Sequence, residues 1–159
     1  MNDDEQTCVF CKIIRGDLPS YKIYENEKFI ALLDIYPNID GETLVIPKKH
    51  TSSYAFDMSD HELKEFVEVT KKVAKQIESN MPVARVHLVL EGTLINHLHA
   101  KLYPAKGYGL EGTPVSSDER VYFEKYPGYV STLLGPKASD EKLRELQRRL
   151  SGNRERSKV

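Results

Sequence analysis

Residues 97–104 read His-Leu-His-Ala-Lys-Leu-Tyr-Pro. Side chains two apart on an extended strand point to the same side. His97, His99 and Lys101 therefore share one polar face, and Leu98, Ala100 and Leu102 share an apolar one. Two imidazoles and an ammonium in a row suit an anionic ligand, most naturally a phosphate. A histidine held beside phosphate oxygens can also attack phosphorus and form a covalent intermediate. A half-exposed strand with its polar residues turned to water would give the same pattern, so the stretch alone leaves both readings open.

Working outward, Val83–Leu90 reads as a further strand, joined to His97–Tyr103 through a hairpin at Glu91-Gly92-Thr93. The clearest helix runs from Ser59 to Ser79. Ser59 with Glu62 three residues on forms a capping-box pattern. Leu63, Phe66, Val67, Thr70, Val73, Ala74 and Ile77 recur at helical spacing toward a core, and Asn80 and Pro82 end the helix. Upstream, Tyr21–Tyr24, Phe29–Asp34 and Thr43–Ile46 read as strands, and residues 8–15 as a short helical turn closed by Gly16. Strands, one long helix, then strands predict an α+β domain with an antiparallel sheet rather than a doubly wound fold. Beyond Ala105 the chain is rich in Gly, Pro and Tyr, with Tyr122, Phe123, Tyr126 and Tyr129 expected to pack on the sheet or a partner. Residues 139–150 suggest a last amphipathic helix, and 151–159 a disordered polar tail.

With 159 residues, 40% hydrophobic and 30% charged, the chain has the composition of a soluble globular domain. Its net charge of −1 provides no basic field to recruit nucleic acid. The acidic start Met-Asn-Asp-Asp-Glu-Gln lacks the features of a signal peptide, and no apolar run reaches membrane-spanning length. A cytoplasmic protein is expected. The two cysteines, Cys8 and Cys11, stand as Cys-Val-Phe-Cys. In a reducing compartment they read as half of a zinc site or, less readily, as a redox pair.

Three segments, taken in order, closely resemble the histidine triad (HIT) family of nucleotide hydrolases and transferases. They are Cys-Val-Phe-Cys-Lys-Ile-Ile-Arg-Gly at 8–16, Leu-Asp-Ile through Gly-Glu-Thr-Leu-Val-Ile-Pro-Lys-Lys-His at 33–50, and His-Leu-His-Ala-Lys-Leu-Tyr-Pro at 97–104. The resemblance covers residues 7–105. It implies a HIT-like five-stranded antiparallel sheet with one long helix, here with a C-terminal helical extension, and a homodimer. Residues 1–138 would form the nucleotide-binding domain together with its aromatic extension. It also implies that His99 is the nucleophile, that Asp34 binds the ribose, that Leu33 and Ile35 wall the base, and that Gly92 approaches the phosphates. Cys8, Cys11, His50 and His97 would hold zinc, a Cys₂His₂ set suited to a closed structural site.

Two positions depart from the family pattern. Lys101 replaces the third histidine, keeping a positive charge for phosphate oxygens but not the proton relay of imidazole. Leu94 stands where the family has a small hydroxyl residue. The resemblance therefore implies an enzyme cleaving a phosphoramidate, dinucleoside polyphosphate or related nucleotidyl bond through a covalent nucleotidyl-histidine, with Lys101 beside it. The alternative is a zinc-stabilised nucleotide-binding module with weak or no catalysis.

Overall fold

The computed structural model describes residues 3–107, 118–131 and 136–150. The chain divides into two compact units, Met1–Thr113 and Pro114–Val159. In the first, helices α1 (Asp3–Thr7) and α2 (Val9–Arg15) precede strands β1 (Lys22–Glu25), β2 (Phe29–Leu33) and β3 (Thr43–Pro47). A 3₁₀ turn at Ala55–Asp57, helix α3 (Asp60–Asn80) and strands β4 (Val83–Val89) and β5 (Ala100–Lys106) follow. The five strands form one sheet in the order β1-β2-β3-β5-β4, with every neighbouring pair antiparallel. This is the α+β architecture expected from the sequence.

Both faces of the central strands are covered, which is why β2 and β3 read as unbroken apolar runs rather than alternating ones. Phe29, Ala31, Val45, Leu98, Ala100 and Leu102 pack with Phe66, Val69, Val73 and Ile77 of α3. Their sheet neighbours Ile30, Leu32, Leu44 and Ile46 pack on the opposite face with Phe10 of α2. Helix α3 starts at the expected cap: Ser59 accepts from the Glu62 amide, and Glu62 reaches back to the Ser59 amide. Its buried face is Phe66, Val69, Thr70, Val73 and Ile77. Val67, expected inside, is 44% exposed, and Val69 takes its place. Counted from Phe66, Val69 lies three residues on and near the buried stripe, whereas Val67 lies about 100° around the helix.

The strand expected at His97–Tyr103 begins instead at Ala100. The reason is local: the Leu98 amide donates to the Thr51 carbonyl, and the His97 carbonyl accepts from a side chain, so neither joins the ladder. Alternation nonetheless carries through residues 97–102, with Leu98, Ala100 and Leu102 turned to α3. The opposite face is not turned to water, because His97 and His99 are both buried. The simple half-exposed strand is thereby ruled out. His87 is exposed on β4. His61 is exposed, 3.8 Å from Glu65.

In the second unit, α4 (Asp140–Leu150) begins where Ser139 accepts from the Lys142 amide, and Phe123 meets Tyr129 edge to face. The tail at 151–159 lies outside the described residues. No described helix is long and apolar enough to cross a membrane.

Candidate active site and metal centre

Four donors from three separate segments converge at one end of the sheet. Helix α2 is anchored by buried Phe10 and Cys11 and closed by Gly16 in the left-handed conformation. It carries Cys11, with Cys8 at its N-cap. His50 follows β3, and His97 precedes β5. The ligating atoms of Cys8, Cys11, His50 and His97 all lie within 4.8 Å of one another. Cys8 Sγ is 3.3 Å from His97 Nδ1, and Cys11 Sγ is 3.3 Å from His50 Nδ1 and 3.5 Å from His97 Nδ1.

The hydrogen bonding of His97 decides which nitrogen it offers. Its Nε2 lies 2.8 Å from the Pro47 carbonyl, and a carbonyl can only accept, so Nε2 carries the proton. The Nδ1 lone pair then points at the thiols. Fixing the tautomer from the far side of the ring is how protein frameworks orient ligating histidines. Burial, helped by the neighbouring His50 and His99, pushes the His97 pKa down to about 4, which keeps the ring neutral as ligation requires. Burial and the adjacent Cys8 push the Cys11 thiol up to about 11. Without a cation the Cys11 thiol resists ionising, and a divalent metal would offset that cost. The donor chemistry, two sulfurs and two imidazole nitrogens, fits a tetrahedral zinc ion.

Beside this cluster, on the α2 face of the sheet, lies a cavity of about 370 Å³. Its wall includes Leu33, Asp34, Ile35, His99 and Lys101 from the sequence reading. His99 is buried, with its Nδ1 2.8 Å from the His97 carbonyl. By the same reasoning Nδ1–H donates, which leaves Nε2 with the free lone pair. Burial first and the charge of Lys101 second lower the His99 pKa and favour the neutral ring. Asp34 sits just past β2, where its Oδ1 accepts the Tyr36 amide at 2.8 Å. Its Oδ2 takes no hydrogen bond among the described residues.

Gly92 does not line the cavity. Its φ is +66°, and a β-carbon there would sit 2.5 Å from the Ser53 carbonyl oxygen. In this structure the missing side chain therefore serves the packing of the 90–96 loop on the 50–54 loop. Leu94 lines the cavity yet is 91% exposed.

The sequence reading missed the opposite wall. Phe10, between the two cysteines, meets the rings of His99 and His97 edge-on at 5.2 and 5.8 Å. It therefore connects the metal cluster directly to the cavity. Glu42 and Tyr103 also line the cavity. Burial followed by Glu42 pushes the Tyr103 pKa up to about 12, and Glu42 itself accepts the Asn38 amide. Tyr103 was legible, since it continues the period-two face of His99 and Lys101. Phe10 was hidden by its place within a presumed metal loop.

Known proteins resemble this chain in sequence and in fold. An uncharacterised HIT-like protein of Mycoplasma genitalium is 37% identical over 115 residues, which cover 65% of this chain and 79% of the relative. The adenosine 5'-monophosphoramidase of Schizosaccharomyces pombe is 32% identical over 120 residues, covering 71% of this chain and 90% of the enzyme. Among solved structures, a HIT family member from Bacillus subtilis superposes with a TM-score of 0.66 at 26% identity, over 92% of this chain and 96% of that one. A zinc-bound histidine triad protein from Mycobacterium smegmatis gives 0.59 at 28% identity, over 70% and 86%. The HIT domain itself matches residues 15–106, the span that holds the whole sheet and both carboxylate and histidine walls of the cavity, and the chain belongs to the HIT domain family.

Proposed function

We propose that this protein is a nucleotide hydrolase or nucleotidyl transferase that works through His99. Its substrate would carry a phosphoramidate, dinucleoside polyphosphate or related nucleotidyl bond. The observation that carries the reading is the His99 tautomer: Nδ1–H is committed to the His97 carbonyl, so Nε2 is an unprotonated nucleophile in a cavity wall beside Lys101. The nucleoside would enter with its ribose hydroxyls on Asp34 and its base between Leu33 and Ile35. Gly92 would act on the phosphate end only indirectly, through the loop that it allows to pack.

In the first step the Nε2 lone pair attacks the α-phosphorus. A bond forms from nitrogen to phosphorus, and the bond from phosphorus to the leaving group breaks. The leaving group departs with that electron pair and takes a proton from solvent. The positive charge left on the ring is supported by the Nδ1–H bond to the His97 carbonyl. Lys101 stabilises the charge that builds on the phosphoryl oxygens. Water or another acceptor then attacks phosphorus and gives its proton to solvent, the nitrogen–phosphorus bond breaks toward the ring, and neutral His99 is restored. Cys8, Cys11, His50 and His97 would hold zinc, which when bound cross-links α2 to the sheet and so keeps Phe10 against His99.

The relatives lend support: one is an adenosine 5'-monophosphoramidase and another a zinc-bound histidine triad protein. A cytoplasmic homodimer, with residues 1–138 as the nucleotide-binding domain including its aromatic extension and with neither a stable nucleic-acid partner nor a membrane, completes the proposal. A zinc-stabilised nucleotide-binding module with weak or no catalysis is favoured by two departures from the family pattern. Lys101 is not a proton relay, and Leu94 offers no hydroxyl to a leaving group. Turnover of adenosine 5'-monophosphoramidate to AMP separates the two readings. The enzyme reading expects turnover by the wild type and none by His99→Ala, whereas for a binding module the two proteins give the same weak or absent turnover.

A further inference from the structure

Lys101 is not alone at the cavity wall. Its Nζ lies 3.5 Å from Glu91 Oε2, and both side chains are shielded, Lys101 at 27% and Glu91 at 14% exposure. The other oxygen of Glu91 accepts the Thr93 hydroxyl at 3.0 Å. Sheet register explains the meeting: Val89, at the end of β4, pairs with Lys101, and Glu91 lies two residues further along the same chain. The loop that holds Glu91 is itself fixed against residue 53. Gly92 leaves no room for a side chain there, and Asn96 Oδ1 accepts the Ser53 amide at 3.1 Å.

The charges around the cavity give this pair a consequence. Asp34 and Glu42 line it, and Lys101 is the only lysine or arginine among the described residues that do. The cavity's one permanent cation is therefore shared with a carboxylate before any phosphate arrives. We propose that Glu91 is a positioning residue that tempers Lys101, so that the site favours a phosphate carrying one negative charge over a phosphate carrying two. The inference rests on the nucleotide reading above. An α-phosphate bonded to its leaving group carries a single charge, whereas the released monophosphate carries close to two at neutral pH, its second pKa being about 6. An uncompensated lysine would hold the product more firmly than the substrate, whereas a shared lysine lets the product go. Glu91 touches no reacting atom and acts only through Lys101.

Calorimetric titration of the full-length, metal-loaded protein at pH 7.5 tests this with adenosine, the methyl ester of AMP and AMP itself, which carry zero, one and close to two charges. Glu91→Gln, which keeps the shape and removes the charge, should tighten AMP roughly five- to tenfold and the ester about two- to threefold, as a screened charge a few ångströms from the phosphate predicts. Adenosine should stay within about twofold. In turnover, the inhibition constant for AMP should fall by the same factor, and kcat should drop while KM changes less. Glu91→Asp, which keeps the charge, should retain the wild-type order of the ligands. Equal tightening of AMP and ester, no tightening of AMP, or an Asp variant that behaves like Gln would each overturn the proposal. So would loss of adenosine binding in Glu91→Gln alone, because Glu91 would then be merely structural. Failure of adenosine to bind the wild type would instead remove the nucleotide reading, and this inference with it.

Discussion

Asp34 offers a sharp test of how the ligand lies, because its two oxygens have separate work. Oδ1 accepts the Tyr36 amide at 2.8 Å and shapes the turn after β2. The Asp34 amide donates to the Glu42 carbonyl at 2.9 Å, so the backbone here is held independently of the side chain. Asp34→Asn preserves an acceptor for Tyr36 and removes only the charge, while Asp34→Ala removes both. A hydrogen bond to a charged group is worth roughly 1.5–3 kcal/mol. At about 1.4 kcal/mol per tenfold change, losing it weakens binding by roughly ten- to 150-fold. Calorimetry of AMP against the metal-loaded protein should show a loss in that range for Asp34→Ala and a smaller one for Asp34→Asn. The 2',3'-dideoxy analogue has no hydroxyls to lose, so its affinity should change by less than about threefold, well under one such bond. Equal weakening of both ligands would refute the ribose role and leave Asp34 as a turn former.

Other consequences can be measured as readily. Cys8→Ser should lower bound zinc per chain by elemental analysis and reduce the melting temperature, because the unfolded chain has no preformed site for the metal to stabilise; an unchanged zinc content would count against the four-ligand set. Nucleotide affinity in that variant should fall less than zinc content, through a loosened Phe10. Gly92→Ala should destabilise the protein in urea by about 2–4 kcal/mol, combining left-handed strain with a backbone clash. Gly16→Ala, also at positive φ but with nothing within 4 Å, should cost only about 1–2 kcal/mol, and equal costs would show that the contact with Ser53 is unimportant. Sedimentation at micromolar concentration should give a dimer, and a monomer would remove that part of the proposal.

The shared face of His97, His99 and Lys101 could be read from residue spacing, the remaining site residues only from the resemblance to the HIT family, and what neither showed has physical causes. The period of two in His97–Pro104 survives even where the backbone leaves the ladder, because side-chain alternation needs only an extended chain. The capping box at Ser59 and Glu62 is local and forms as written. What spacing could not show is which partner covers a face. The His97 and His99 side is buried by Phe10, a residue almost ninety positions away in sequence, and nothing in the 97–104 stretch carries that information. The pairing of Lys101 with Glu91 was hidden for a similar reason, since it depends on the register of β4 against β5. Val67 and Val69 differ only by helical phase, which a hydrophobic count over a 21-residue helix does not fix to one residue. Gly92 was legible as an obligatory glycine, but only the fold shows that the obligation is to Ser53.

The most direct measurement is intact-mass spectrometry of the protein quenched in denaturant within milliseconds of mixing with adenosine 5'-monophosphoramidate. If the free Nε2 of His99 is the nucleophile, the wild type should gain one adenylyl mass. Peptide mapping should place it on His99, and His99→Ala should show none while still binding AMP. An adduct on any other residue, or wild-type turnover by His99→Ala, would contradict the mechanism.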